Sequence, residues 1–181
     1  EKEKGWWIEE RATVPCALPN DGLVVALRRE DVESLMDLYY PSMEYTDGTK
    51  IWYFSHVRES AKIGRDCNIG DQCFIDKKVI IGDDCRISNN VSIYEGVIIK
   101  DRVFIGNGVS FTNVRKPSAS KKAKEFLDTI VEDDVTIGAN ATIVGGVKIG
   151  KGTQVADGAV VIENLLPNSF YAGNPAKLKR K

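Results

Sequence analysis

Two short segments carry side chains at a spacing that suits chemistry. One is Asn89-Asn90-Val91-Ser92-Ile93-Tyr94-Glu95. The other is Phe111-Thr112-Asn113, whose last two residues follow Tyr94 and Glu95 by eighteen positions. Amide, carboxylate, phenol and hydroxyl groups held in register can orient a nucleophile by hydrogen bonds and steer its proton. Asn89, Glu95 and Asn113 are the candidates for that catalytic work, with Asn90, Tyr94 and Thr112 as substrate contacts. The competing reading is an asparagine ladder that merely stabilises turns. His56 is the chain's one histidine; a substrate contact, a general base and a plain surface residue are all open to it. One histidine cannot build a three-histidine zinc site. Cys67, Cys73 and Cys85 lack the paired spacing of a metal site, so no metal is expected.

The 181 residues amount to one domain, or one domain with appendages, at 43% hydrophobic and 28% charged composition. The net charge of −1 gives no overall basic field for nucleic acid. No apolar run approaches a membrane span, and Glu1-Lys2-Glu3-Lys4 does not read as a signal peptide. A soluble cytoplasmic protein is therefore expected, without membrane insertion. The charge is uneven. Residues 1–44 carry a net of −5, residues 45–166 a net of zero, and residues 167–181 a net of +4.

The elements that position these residues follow a period of six. Counted every six residues from Tyr45 to Phe111, and again from Val131 to Val161, sixteen of eighteen leading positions are Ile or Val. The fifth position of each hexad is small or β-branched, as in Cys67, Cys73, Val79, Cys85 and Val91. A helix would rotate such a stripe around its axis, and a simple strand wants period two. Short strands separated by turns, three to a coil, satisfy period six, so the fold class is all-β: a parallel β-helix of about six coils. Stacked coils would place Tyr94 on Thr112 and Glu95 on Asn113 at one corner.

Fourteen extra residues, Pro117 to Ile130, interrupt the repeat without breaking its register. They predict a loop, 117–130, ejected from one corner, and such loops are often functional. Residues 1–44 do not follow the repeat. Val32, Leu35, Met36 and Tyr39 form a helical stripe there, and an N-terminal cap over the open end is the natural role. The repeat domain spans 45–166. Pro167 stops it, and 167–181 forms a tail in which Asn174-Pro175-Ala176-Lys177 predicts the start of a short terminal helix.

The run Lys50-Ile-Trp-Tyr-Phe-Ser-His56-Val57 is distinctive, as are the segments around Asn89–Gly96, Phe111–Asn113 and Ile137–Val147. With them, residues 46–178 resemble the hexapeptide-repeat N-acetyltransferases of bacterial surface-polysaccharide synthesis. The closest type is the UDP-2-acetamido-3-amino-2,3-dideoxy-glucuronate N-acetyltransferases, with the dTDP-3-amino-sugar acetyltransferases next. Trp52-Tyr53-Phe54 stands where that family usually has Trp-His-Phe. The resemblance implies a left-handed helix sense and a homotrimer with its site between neighbouring prisms. It also implies acetyl-CoA as co-substrate and acetylation of the 3-amine of a nucleotide-linked amino sugar. Exposed aromatics such as Trp52 and Phe54 independently call for covering by another subunit.

A neutral sugar amine attacks a thioester readily, so such an enzyme mainly has to hold the reactants together and stabilise an oxyanion. Glu95 or the departing thiolate could receive the proton. For acetyl-CoA, the small residues Ala139, Ala141, Gly145 and Gly146 predict a shallow groove for the pantetheine arm. Family members place the motif resembling Gly173-Asn-Pro175-Ala-Lys177 near the adenosine end, where the basic tail suits phosphates. Transfer to another small acceptor, including O-acetylation, and a non-catalytic scaffold remain the alternatives.

Overall fold

The computed structural model describes residues 48–119 and 126–180. In that range the chain is a left-handed parallel β-helix of about six coils, with every regular element a strand. Each hexad supplies a strand of two or three residues, then a turn. Three strands make a triangular coil. The strands sort onto three faces. The first runs from Lys50–Ile51 to Phe170–Ala172, the second from His56–Val57 to Val160–Val161, and the third from Lys62–Ile63 to Lys148–Ile149. Strands one coil apart pair in parallel and in register, as Asn68 with Arg86 and Ile69 with Ile87.

The strands are this short because each must bend within six residues to close the triangle. Of each strand's closing pair, the second side chain points inward. Ile69, Ile75, Ile93, Ile99, Ile105, Ile137, Ile143 and Ile149 are fully buried. The fifth-position residues fill the corners of the same core, with Val79, Cys85, Val91 and Val97 at 0% exposure. Each turn carries a residue in the left-handed region, such as Asp66, Lys78, Asp84 and Asn90. Between stacked turns, carboxylate and amide oxygens accept main-chain N–H groups. Asp83 accepts from Arg65 at 2.8 Å, and Asp101 accepts from Asp83 at 2.9 Å. Gly70 is required by that stacking, since a Cβ there would lie 2.8 Å from the Asn89 nitrogen.

Cys67 and Cys85 sit one coil apart, as the repeat predicts, and both are free thiols buried in the core. Their Sγ–H groups donate to the carbonyls of Gly82 and Lys100, each at 3.1 Å.

Two expectations are corrected here. Residues Lys177–Arg180 form a strand, not a helix, antiparallel to Phe170–Ala172. Gly173, at φ +100°, and Pro175, which has no N–H to give a helix, turn the chain back onto the edge of the first face. The ejected loop is also displaced from 117–130. Its limbs meet at Asn113 and Leu127, where the Leu127 N–H donates to the Asn113 carbonyl at 2.9 Å. Thr129 and Ile130 already belong to the strand Thr129–Val131, which pairs with Val97–Ile99. The predicted cap at 1–44, its helical stripe and Tyr45 lie outside the described residues.

Candidate active site at the second–third corner

The corner between the second and third faces stacks three polar turns on one another. Tyr94, Glu95 and Gly96 make the lowest. Thr112 and Asn113 lie one coil above, and Gly145 and Gly146 lie above those. Register fixes this, because Ser92 pairs with Ser110, and Ser110 with Thr142. The Asn113 side-chain N–H donates to the Glu95 carbonyl at 3.0 Å, and the Asn113 carbonyl closes the base of the loop. The amide is thereby fixed in orientation, with Oδ1 as its remaining acceptor. Thr112 Oγ1 accepts the Gly145 N–H at 3.0 Å, and Thr129 Oγ1 accepts the Gly146 N–H at 3.0 Å.

Glu95 is buried although it is a carboxylate. Two lysines from the turn one coil below compensate it. Lys78 Nζ donates to Oε1 at 2.8 Å, and Lys77 Nζ lies 3.4 Å from Oε2. The Lys78 hydrogen bond, more than burial opposes it, holds the Glu95 carboxyl below the usual carboxylate range. The same bond raises Lys78. Glu95 is therefore an ionised, tethered group and a weak base. Gly96, at φ +96°, is required by the returning limb of the loop, since a Cβ there would lie 2.8 Å from the Leu127 carbonyl oxygen.

His56 stands on the outer side of the second face, in register with Phe74. The Phe74 ring, one coil above His56 on that face, lies 5.5 Å from the ring of Tyr94. Neither Phe74 nor Lys77 and Lys78 was singled out from the sequence. The signal was available: Lys77 precedes Glu95 by eighteen residues, one full coil.

Asn89 and Asn90 do not join this cluster within the chain. They lie at the corner between the first and second faces, across the width of the second face from Glu95. Asn89 Oδ1 accepts the Asp71 N–H at 3.1 Å, and Asn90 occupies the left-handed turn position at φ +60°. Asn89 also lines a groove of about 440 Å³ on the first face with Trp52, Arg86 and Phe104. An adjoining groove of about 440 Å³ is lined by Ala139, Asp157 and Phe170.

The single groove of small residues is not formed. Ala139 belongs to the first–second corner, and Gly145 and Gly146 to the second–third corner. Gly145 is demanded by close packing: a Cβ would lie 2.7 Å from the Thr112 carbonyl oxygen. Ala141 is at 0% exposure in the core, so its methyl group can line no groove. Pro175 and Lys177 lie in the terminal hairpin, where Lys177 Nζ is 3.4 Å from Glu163. Among the described residues no three His, Cys, Asp or Glu side chains converge on a metal site, and no helix is long and apolar enough to cross a membrane.

With this geometry in place, three comparisons bear on the chain. The family profile described as bacterial transferase hexapeptide (six repeats) matches residues 78–113 and 128–163, which hold the three stacked turns of the polar corner. A 2,3,4,5-tetrahydropyridine-2,6-dicarboxylate N-acetyltransferase of Clostridium perfringens is 59% identical over 49 residues, 27% of this chain and 21% of that protein. The matched stretch thus spans about a fifth of that relative's length. A hexapeptide-repeat-containing acetyltransferase of Vibrio cholerae, solved in complex with acetyl coenzyme A, superposes with a TM-score of 0.56 at 27% identity. The match covers 86% of this chain and 78% of that one. AntD, an N-acyltransferase of Bacillus cereus in complex with dTDP and 3-hydroxybutyryl-CoA, superposes with a TM-score of 0.63 at 22% identity. It covers 82% of this chain and 87% of its own, and shares the fold.

Proposed function

We propose that the protein is a cytoplasmic, acetyl-CoA-dependent N-acetyltransferase that acetylates an amino group, the 3-amine of a nucleotide-linked amino sugar, and works as a homotrimer. The observation that carries this reading is the fixed Asn113 amide beside a buried Glu95 at the foot of the ejected loop. Nitrogen acyl transfer needs a neutral amine whose lone pair faces the thioester. Asn113 Oδ1, held by the bond from Nδ2 to the Glu95 carbonyl, accepts an amine N–H and sets that direction. Orientation of this kind lowers barriers by several kcal/mol. Main-chain N–H groups at the turns serve the developing oxyanion.

The proton released from the amine goes to the departing thiolate. A thiol ordinarily titrates near 8.5, far above a carboxyl held down by two lysines, so the thiolate is the more basic acceptor. Glu95 then acts by keeping Asn113, Lys77 and Lys78 in place. Support for CoA as donor comes from the acetyl coenzyme A bound to the Vibrio cholerae neighbour. Support for a nucleotide-linked acceptor comes from the dTDP bound to AntD. Exposed Trp52, Tyr53 and Phe54 favour the trimer.

A second acceptor class, a cyclic imino-dicarboxylate, is favoured by the name of the Clostridium perfringens relative. Thiol release from acetyl-CoA, followed with UDP- and dTDP-linked 3- and 4-amino sugars and with that dicarboxylate, separates the readings. Release with an amino sugar supports the proposal. Release with the dicarboxylate alone moves the assignment to the second class, and none with any acceptor overturns both.

A further inference from the structure

The outer column of the third face differs from those of the other two. It reads Lys62, Ile80, Ile98, Ile130 and Lys148, each in register with the next. Among the described residues, neither other face carries three aliphatic side chains in succession on its outer side. At about 4.8 Å per coil the three isoleucines span roughly 10 Å. Isoleucine suits a strand by its shape, but a row of them on the outside leaves apolar surface in water.

The returning limb of the loop turns one end of this stripe into a pocket of about 480 Å³, the size of a small-ligand site. Ile80, Ile98 and Phe126 line it, and Ile80 and Phe126 are 42% and 43% exposed. Glu95 and Gly96, the lowest turn of the polar corner, stand at its rim. The Glu95 carbonyl accepts the Asn113 side-chain N–H at 3.0 Å, so the pocket adjoins the fixed amide. The rim's cations are already paired. Lys78 holds Oε1 of Glu95 at 2.8 Å, and Lys77 lies 3.4 Å from Oε2. Asp128, on the returning limb, repels an anion. An uncharged, apolar guest fits what is left.

We propose that this pocket holds the acyl chain of the thioester donor, so that the protein accepts linear acyl groups longer than acetyl. This rests on the acyl-transfer reading above and extends its donor. An acetyl group brings one methyl to the Asn113 amide and leaves the stripe uncovered. A chain of several methylenes runs on from the same carbonyl onto Ile98 and Ile80, beneath Phe126, and each methylene leaves water. The reaction itself is unchanged: the carbon–nitrogen bond forms, the carbon–sulfur bond breaks, and the thiolate takes the amine proton.

The test compares acetyl-, butyryl-, hexanoyl- and octanoyl-CoA on the full chain, by binding calorimetry and by thiol release with an amine acceptor. The expected result is a Kd about tenfold lower for hexanoyl-CoA than for acetyl-CoA, with release from both. Ile80→Thr with Ile98→Thr keeps β-branched residues on the strands and should remove that preference. Phe126→Ala should reduce it. Leu166→Thr, which removes an exposed apolar side chain at the far end of the prism, should retain it. Unaltered melting temperatures show that the variants are folded. Equal affinity across the series overturns the proposal, as does a preference that survives the double threonine change. Release confined to acetyl-CoA despite tighter binding of hexanoyl-CoA overturns it as well. A length preference lost in the double variant, without release to any acceptor, would sink the acyltransferase reading and leave the pocket assignment standing.

Discussion

Asn113 donates its side-chain N–H to the main-chain carbonyl of Glu95, the residue one coil below it, at 3.0 Å. One residue thus joins three things: the stacked turns and the orientation of Oδ1 through its side chain, and the base of the loop through its main-chain carbonyl. Asn113→Asp replaces the donor by an acceptor facing the Glu95 carbonyl, so the side chain must turn away. Turnover should fall about 100- to 1,000-fold, the range for loss of one positioned polar group. The acetyl-CoA Kd should stay within about twofold. Steady-state kinetics and calorimetry on the same preparation check this, and unchanged kcat would remove Asn113 from the reaction.

Glu95 links the site to stability through pH. The Lys78 hydrogen bond, then Lys77, keeps its folded-state carboxyl below the ordinary range. The folded protein therefore binds that proton less readily than the unfolded chain does. The resulting stabilisation is full above the unfolded carboxyl value, about 4.3, and fades as pH falls through the lower folded value. Melting temperatures of the wild type and Glu95→Gln should differ by a constant amount from about pH 7 to 5.5. The gap should close below about pH 4. A gap that widens in acid would contradict the ion-pair assignment.

The period of six carried most of the fold. Columns of Ile and Val at one spacing leave one way to bury them, and stacking depends on spacing alone, so Tyr94 over Thr112 and Glu95 over Asn113 were readable in advance. The same arithmetic separates Asn89 from Glu95, because six residues advance the chain by one corner, not one coil. It also separates Ala139 from Gly145. Ala141 occupies a fifth position and belongs to the core on that ground. Lys77 and Lys78 were missed because a lysine pair in a turn reads as solvated, and only the buried carboxylate above gives it work. The strand Lys177–Arg180 was illegible for another reason. Its conformation is set by the unpaired edge of Phe170–Ala172, which exists only once the prism has formed.

The buried thiols should be inert in the folded state. Burial raises the Cys73 thiol, and the neighbouring Cys67, then burial, push Cys85 well above the ordinary thiol range. Thiolate is the reactive form, and neither residue offers it near neutral pH. The hydrogen bond with Cys85 lowers Cys67 instead, so the protection of Cys67 rests on its burial in the core. A maleimide at pH 7 should leave peptides containing Cys67, Cys73 and Cys85 unmodified over an hour and label all three in denaturant. Peptide mass analysis reads this directly. Rapid labelling of Cys85 without unfolding would show that the coils open locally.

The terminal hairpin changes how the CoA end has to be tested. Tyr171 and Ala176 are core residues, and the Tyr171 hydroxyl accepts the Leu166 N–H at 3.1 Å. Truncation after Pro167 would therefore strip the last coil as well as the charge. Lys177→Met with Lys179→Met removes two cations and keeps the strand. If the basic tail meets the CoA phosphates, acetyl-CoA affinity should fall about 3- to 10-fold at 50 mM salt. The difference from wild type should shrink to nothing near 0.5 M salt, where exposed charges are screened. The acceptor KM and the melting temperature should not move. Lys177 already lies 3.4 Å from Glu163, so a part of its charge is spent within the chain, and Glu163→Gln should strengthen acetyl-CoA binding by the same logic. Equal acetyl-CoA affinity of wild type and double variant at 50 mM salt would show that the tail only solvates the end of the prism, and the phosphates would then have to be sought along the grooves of the first face.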